Sequence, residues 1–280
     1  EDFVSEMVRV GNIAPALSVE GLEEETDNRR GKGVYKKIMH AMDLMREAGC
    51  IFGFSACYAR NNVDVIASDE FIDTMVDKGC AFGWFFTYVP VGSEPNLDLM
   101  ATAEQRAEMY EAVRRFRNTK PIFLVDFWND GEFSLGCIAG GRRYLHINAA
   151  GDVEPCAFIH YATDNINDVS LREALASPLM RAYQKRQPFN ENMLRPCPLI
   201  DNPEKLVEIV RESGARSTQL GEHAVEPEVL AEKIQEEYTQ HWAAKAGELW
   251  ESNPHPFYDR SRVFAEKERA ETKERQAAKG

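Results

Sequence analysis

The stretch Phe82-Gly83-Trp84-Phe85-Phe86 is almost uninterrupted in apolar and aromatic content, which is typical of a strand in a parallel sheet. Similar runs occur at residues 13–19, 51–58 and 122–127, and the segments between them show the spacing of amphipathic helices. Strand therefore alternates with helix at intervals of roughly 30 to 40 residues, as in βαβ units. The pattern predicts an α/β fold with right-handed crossovers and a parallel sheet that is buried on both faces.

The number of such runs limits the architecture. Four strands cannot close an eight-stranded barrel, so we expect an open sheet or a fragment of a barrel. Beyond residue 127 the pattern changes, since residues 144–153 read as a hairpin with a Gly-containing turn. Ser170 and Glu173 then form a capping-box pattern ahead of a helix that we predict over residues 174–183.

The last part of the chain is polar and has helical spacing. Leu230, Ile234, Tyr238 and Trp242 follow one another at four-residue intervals, and the charged residues after 260 indicate a solvated helix or disorder. We therefore predict three parts: residues 1–128 form part of a barrel, residues 129–202 form a small α+β module, and residues 203–280 form a helical, partly disordered acidic tail.

Composition excludes several classes of protein. The 33 Lys and Arg residues against 46 Asp and Glu residues give a net charge of −13, which makes nucleic acid an unsuitable partner. No apolar run reaches the roughly 20 residues of a spanning helix, so we expect no membrane partner and a cytoplasmic location. Because the chain starts Glu1-Asp2-Phe3 without a Met, we also expect it to begin partway into a longer protein.

Six cysteines in 280 residues are too few for a disulfide scaffold. Cys50, Cys57 and Cys80 lie in or beside the apolar strands, and the simplest interpretation is that they are buried thiols. Cys57 is the exception to watch, because it lies near the carboxyl end of a strand, where barrels of this class place their chemistry.

Cys137, Cys156 and Cys197 differ in their surroundings. Each lies beside Gly or Pro in the module after the sheet, and such turns let thiolates converge on a metal site. Three thiolates are one short of the usual four, so the fourth ligand is Asp201, His160 or a position left open to substrate. Three unconnected cysteines in a loop-rich region are the alternative.

The string from Cys137 to Cys156, with its Gly-x4-Cys ending, resembles the SPASM/twitch auxiliary domain of radical S-adenosylmethionine (SAM) enzymes. Residues 165–179 are similar to the helix that follows in that family. Upstream, residues 17–21 and 27–35 resemble the fourth strand and following loop of the radical SAM barrel. The resemblance implies the C-terminal part of a partial (β/α) barrel, then a twitch/SPASM-like module and a helical tail.

The sequence departs from that family in two places. The Cys-x3-Cys-x2-Cys loop that binds the SAM-cleaving cluster is absent, as is the Gly-Gly-Glu segment, so we expect both in a missing N-terminal part and an inactive fragment without it. In addition, the usual Cys-x2-Cys is replaced by Cys197-Pro-Leu-Ile followed by Asp201. This departure is why the fourth ligand stays open.

The resemblance also implies cofactors and site residues. The cofactors are SAM, an auxiliary 4Fe-4S cluster held by Cys137, Cys156 and Cys197, and a SAM-cleaving cluster in the missing part. Ser18 and Glu20 are expected to contact SAM ribose or amine, Arg30 its carboxylate and Ser55 its adenine. The alternatives are an ordinary strand end for Ser18 and Glu20 and a solvated loop charge for Arg30.

Function is predicted only as a class. The resemblance implies an oxidoreductase or maturase that acts through a 5′-deoxyadenosyl radical on a peptide or small molecule, with flavodoxin or ferredoxin as electron donor. No motif marks a catalytic residue. The competing class is a non-enzymatic zinc-binding module whose acidic tail docks a partner. An ordinary hydrolase is disfavoured because no Gly-x-Ser-x-Gly motif is present.

Overall fold

The computed structural model describes residues 2–92, 95–219, 226–256 and 258–259. Contacts divide the chain into two compact units. The first unit comprises Glu1–Tyr88 and Asp98–Phe127, and the second comprises Val89–Leu97 and Trp128–Gly280.

The first unit is built on a four-stranded parallel sheet with strand order β1-β2-β3-β4. Its strands are β1 (Ala16–Ser18), β2 (Gly53–Tyr58), β3 (Phe82–Thr87) and β4 (Phe123–Asp126). Sequential order without a reversal is the order of a (β/α) barrel, whereas a doubly wound sheet reverses direction at a switch point. The predicted α/β class and partial barrel are therefore confirmed. β1 is shorter than its apolar run because Pro15 has no N–H to donate, although its carbonyl oxygen still accepts from the Gly53 N–H at 2.9 Å.

Helices cover one face of this sheet. They are α1 (Asp2–Val10), α2 (Glu23–Arg30), α3 (Val34–Glu47), α4 (Val63–Ile66), α5 (Asp69–Asp77) and α6 (Ala103–Thr119). Phe54 and Phe85 point toward this side and have no exposed surface, and their rings meet edge to face at 5.5 Å. On the opposite face Trp84 remains 38% exposed and Phe123 67% exposed, so the prediction of a sheet buried on both faces is wrong. Aromatic content alone does not show which strand residues helices cover.

The second unit contains the predicted hairpin. Its elements are α7 (Gly131–Ser134), β5 (His146–Ile147), β6 (Val153–Glu154), β7 (Tyr161–Ala162), α8 (Leu171–Ala174), α9 (Pro178–Lys185), α10 (Pro203–Ser213) and β8 (Arg216–Ser217). β5 pairs antiparallel with β6, and β7 pairs antiparallel with β8. The helix predicted over 174–183 is two helices, because the Ser177 side chain caps a new start and Pro178 cannot continue the helix before it.

The C-terminal segment is helical, as predicted, and its described part belongs to the second unit. It comprises α11 (Pro227–Ile234), a π-helical turn (Gln235–Thr239) and α12 (Gln240–Ser252). Ile234, Tyr238 and Trp242 are buried, so their four-residue spacing marks a face packed in the core. The disorder predicted for residues 260–280 lies outside the described residues. Of the helices that the structure describes, none is long and apolar enough to cross a membrane.

Candidate functional site

Tyr183 lies at the centre of the cysteine region of the second unit. Its side chain, on α9, has no exposed surface, and its hydroxyl oxygen lies 3.2 Å from the sulfur of Cys137. Burial raises the pKa of Tyr183 well above its usual range, and negative charge on Cys137, Cys156 and Cys197 raises it further. Cys137 thus contacts the phenol directly, and Cys156 and Cys197 lie near enough for their charge to act on it.

The three thiols also influence one another. Burial is the largest cause that raises the pKa of each, and it takes the pKa of Cys156 to about 12. Negative charge on Cys137 further raises the pKa of both Cys156 and Cys197. Without a metal, these three cysteines are stable as neutral thiols, whereas bound iron would keep them deprotonated.

Backbone N–H groups point at all three sulfurs and lower their pKa against the effect of burial. The donors are Ala139 for Cys137, Ala157 and Phe158 for Cys156, and Leu199 and Ile200 for Cys197. The Leu199 N–H donates to the Cys197 sulfur at 3.4 Å. Turns that aim N–H groups at a sulfur stabilise thiolate charge, so this donor set fits an iron–sulfur cluster.

The two residues predicted as fourth ligand lie in different surroundings. Asp201 is fully buried, and its Oδ2 accepts from the Cys197 N–H at 3.0 Å, while its charge raises the pKa of the Cys197 thiol. His160 faces Glu154 instead, with Nδ1 3.7 Å from the Glu154 carboxylate. Of the two, Asp201 is the one that lies beside a cysteine thiol.

No group of three or more His, Cys, Asp or Glu side chains in the described part of the chain is close enough to hold a single metal ion. A single zinc ion draws its thiolates into one tetrahedral shell at about 2.3 Å from the metal. In a 4Fe-4S cluster each thiolate binds a different iron, so the sulfurs stand farther apart.

Glu154 is the centre of a polar network that the sequence did not reveal. It is fully buried on β6, and its carboxylate accepts from His146 Nδ1 at 2.8 Å and from Asn148 Nδ2 at 3.1 Å. Thr218 donates to the same carboxylate. The available signal was the hairpin register, which places His146 directly opposite Glu154.

In the first unit, Glu20 gathers two arginines at the carboxyl end of β1. Its side chain is 1% exposed and accepts from Arg29 Nη1 at 3.2 Å and from Arg30 Nε at 3.0 Å. Arg30 Nη2 also donates to it, and so does the backbone N–H of Cys57 at 3.1 Å. Arg30 is therefore held by an ion pair and is not a solvated loop charge.

The serines predicted to bind SAM lie next to each other. Ser18 and Ser55 are register partners on β1 and β2, and both are partly exposed. Asn62, which the sequence reasoning missed, links the two strand ends by donating to the carbonyl oxygens of Glu20 at 3.0 Å and Cys57 at 3.1 Å. All four predicted SAM contacts thus come from the β1 end, its following helix and β2.

A cleft of about 360 Å³ opens beside these residues. It is lined by Glu24, Glu25, Asn28, Arg29, Ala59, Asn61, Asn62, Tyr88 and Leu99. Cys57 is partly exposed near the same strand end; burial raises the pKa of its thiol, and the neighbouring Arg29 lowers it. The expectation that Cys50, Cys57 and Cys80 are all buried thus holds only for Cys80.

Comparison with known proteins gives a family for the second unit. The family SPASM, an iron–sulfur cluster-binding domain, matches residues 137–198, which contain Cys137, Cys156 and Cys197. The match confirms the predicted resemblance and the iron–sulfur cofactor of this segment. Neither the match nor the structure supports the alternative of a zinc-binding interaction module.

A curated relative extends the similarity beyond that domain. The AdoMet-dependent heme synthase of Oleidesulfovibrio alaskensis is 22% identical in an alignment 185 residues long, which covers 56% of this chain and 47% of that protein. The chain therefore spans about half the length of this relative.

Two solved structures are also similar. Native anSMEcpe with bound AdoMet has a TM-score of 0.49 at 12% identity and covers 89% of this chain and 71% of its own. SuiB of Streptococcus suis has a TM-score of 0.45 at 14% identity, over 58% of this chain and 43% of its own. TM-scores below 0.5 do not establish a shared fold, so these two likenesses carry no further argument.

Proposed function

We propose, from the premise that this chain is a radical SAM/SPASM protein, that its second unit binds an auxiliary 4Fe-4S cluster through Cys137, Cys156 and Cys197. The observation that carries the proposal is the set of three cysteines in the matched segment, with the Tyr183 hydroxyl 3.2 Å from the Cys137 sulfur and backbone N–H groups aimed at each sulfur. Each thiolate would bind one iron, and the N–H groups would offset the charge that accumulates on reduction.

The fourth iron is assigned to Asp201 or to an open position. Asp201 offers a buried carboxylate beside Cys197, but one of its oxygens already accepts the Cys197 N–H. That hydrogen bond fixes the loop 197–201 whether or not the carboxylate binds iron.

The first unit is proposed to contact SAM through Ser18, Glu20, Arg30 and Ser55. Glu20 holds the Arg30 guanidinium by accepting from Nε and Nη2, and the remaining N–H groups are available for the carboxylate of SAM. Ser18 and Ser55 present neighbouring hydroxyls on adjacent strands. SAM bound there would supply radical chemistry, and these four side chains would hold and orient it.

For the whole protein we propose an oxidoreductase or maturase that acts on a peptide or small molecule, with flavodoxin or ferredoxin as electron donor. The cleft between α2 and the segment that includes Asn61 and Asn62 supports a substrate with both polar and apolar parts, because carboxylate, guanidinium and amide groups line it together with Ala59, Tyr88 and Leu99. Substrate identity is not specified by these groups.

Anaerobic reconstitution tests the cluster. Wild-type chain incubated with iron and sulfide should turn brown, absorb broadly near about 400 nm and contain matched iron and sulfide. A Cys156→Ala variant should lose most of the iron, whereas Cys50→Ala, a change outside the SPASM segment, should retain it. A colourless wild-type sample that contains zinc and no iron would overturn the proposal.

A further inference from the structure

We propose that Tyr183 is a positioning residue for the auxiliary cluster and that its hydroxyl, by donating a hydrogen bond to the Cys137 sulfur, makes the reduction potential of the cluster more positive. This inference rests on the proposed cluster. It concerns a residue in α9 that does not itself bind iron and that lies 46 positions from Cys137 in sequence.

The contact is direct and shielded from water. The Tyr183 oxygen lies 3.2 Å from the Cys137 sulfur, within the range of a hydrogen bond to sulfur, and the tyrosine has no exposed surface. A hydrogen bond inside a protein is electrostatically stronger than the same bond in water, because the local dielectric is low. The hydroxyl therefore acts on the charge of Cys137 with little screening.

The surrounding chain fixes the position of the phenol ring. Gly140 has φ +70°, and a Cβ atom at this position would lie 2.1 Å from Tyr183 Cδ1, so the backbone passes directly against the ring. Phe189 packs edge to face on the ring with centroids 4.9 Å apart. Gln184 Nε2 donates to the Gly140 carbonyl oxygen at 2.7 Å and ties this turn to α9. Packing of the ring therefore fixes the direction of the hydroxyl toward the Cys137 sulfur.

In the proposed cluster Tyr183 is the donor. A Cys137 sulfur bound to iron is deprotonated and can only accept, so the Tyr183 hydroxyl 3.2 Å away supplies the proton of this hydrogen bond. Arg142 adds positive charge near Cys137 and donates to its carbonyl oxygen at 2.8 Å, and Gln187 Nε2 donates to that oxygen at 3.0 Å.

A donor at a ligand sulfur affects the two redox states unequally. Reduction adds negative charge to the cluster and its thiolates, so a hydrogen bond to sulfur stabilises the reduced state more than the oxidised state. Removing the hydroxyl while keeping the ring should make the potential more negative. The iron content should not change, because Tyr183 supplies no ligand.

The experiment compares Tyr183→Phe with Tyr161→Phe in the reconstituted 280-residue chain. Tyr161 is a buried tyrosine of the same unit whose pKa is raised by burial and by Glu226 and Glu228 rather than by a cysteine. Redox titration followed by electron paramagnetic resonance should give Tyr183→Phe a more negative midpoint and altered signal at wild-type iron content. Tyr161→Phe should match wild type.

The outcomes are distinguishable. A folded Tyr183→Phe variant with wild-type iron and wild-type midpoint overturns the role of Tyr183 and leaves the cluster intact. Failure of the wild-type chain to bind iron and sulfide overturns the proposed function instead. If Tyr183→Phe does not fold, site-specific 3-fluorotyrosine at position 183 provides the test: its stronger O–H donor should make the midpoint more positive, and an unchanged midpoint contradicts the inference.

Discussion

Glu20 and Arg30 form an ion pair at the carboxyl end of the first strand, with Arg30 Nε 3.0 Å from the Glu20 carboxylate. The carboxylate is 1% exposed, whereas the arginine side chain is 34% exposed. A buried acid that also accepts from Arg29 and from the Cys57 backbone therefore fixes two cations at the surface of the site. This arrangement makes Glu20 the residue that positions both arginines.

Replacing Glu20 by Gln should destabilise the first unit. The change removes the charge while two guanidiniums stay in place, and because these are partly exposed we expect a loss of about 1 to 3 kcal/mol in the free energy of unfolding. Urea denaturation measures it. Asp43→Asn, which breaks the partly exposed pair with Lys78, is the control and should cost less than about 1 kcal/mol. Equal losses for the two variants would show that the buried Glu20 ion pairs stabilise the fold no more than a partly exposed pair does.

Arg30→Ala should weaken SAM binding. If the guanidinium pairs with the SAM carboxylate, loss of charge-assisted hydrogen bonds of about 1.5 to 3 kcal/mol predicts an increase in Kd of roughly 10- to 100-fold. Calorimetric titration of the reconstituted protein with SAM measures this. Arg46→Ala, an exposed arginine of α3, should leave Kd unchanged. Undiminished affinity in Arg30→Ala would restrict Arg30 to its ion pair with Glu20.

The sequence predicted the elements better than their contacts. Apolar runs identified all four parallel strands, because strand burial depends on local composition, and Gly and Pro marked the three cysteines. Tyr183 could not be found in this way. A tyrosine at helical spacing is most simply interpreted as a core residue, and its contact with Cys137 forms only when distant segments fold together. The exposure of Trp84 likewise depends on which sheet face the helices cover.

Asp201 can be tested as a fourth ligand with two substitutions. Asp201→Asn keeps an oxygen that accepts the Cys197 N–H, whereas Asp201→Ala removes both this hydrogen bond and any iron ligand. If the carboxylate binds iron, Mössbauer and electron paramagnetic resonance spectra should change in both variants. If it only holds the loop, Asp201→Asn should match wild type while Asp201→Ala loses iron. Unchanged spectra in both would leave Asp201 without either role.

Glu154 should make stability depend on pH. Burial raises its pKa, but the nearby His160 and hydrogen bonds from Thr218 and His146 outweigh burial and hold the pKa below the ordinary 4.5. Because the folded-state pKa is the lower one, ionised Glu154 stabilises the fold above the unfolded-state pKa, and this stabilisation disappears as pH falls through the folded-state pKa.

The test of Glu154 compares unfolding at two pH values. Glu154→Gln should lose about 1 to 2 kcal/mol at neutral pH, and its difference from wild type should shrink as pH falls below about 4.5. Glu236→Gln, a change at an exposed helical residue, should cost little at either pH. A Glu154→Gln deficit that persists unchanged into acid would mean that packing, and not ionisation, accounts for it.

Trp242→Phe should loosen the loop that carries Cys197. The indole N–H of this fully buried residue donates to the Leu194 carbonyl oxygen at 2.9 Å, and Thr239 in the preceding π-helical turn donates to the Ile200 carbonyl oxygen at the same distance. The C-terminal helices thus hold the loop on both sides of the cysteine. Phe fills much of the space but leaves the Leu194 carbonyl without this donor, which costs about 1 to 3 kcal/mol.

Cluster lifetime separates this role from general stability. Trp242→Phe should bind iron but release it to a chelator several-fold faster than wild type, because loop opening exposes Cys197. Trp250→Phe is the matched control: it changes a tryptophan of the same helix that stacks on His255, and it should release iron at the wild-type rate. If both variants release iron faster than wild type and at the same rate, α12 supports the fold without acting on the cysteine loop. If Trp242→Phe releases iron at the wild-type rate, Thr239 alone holds that loop.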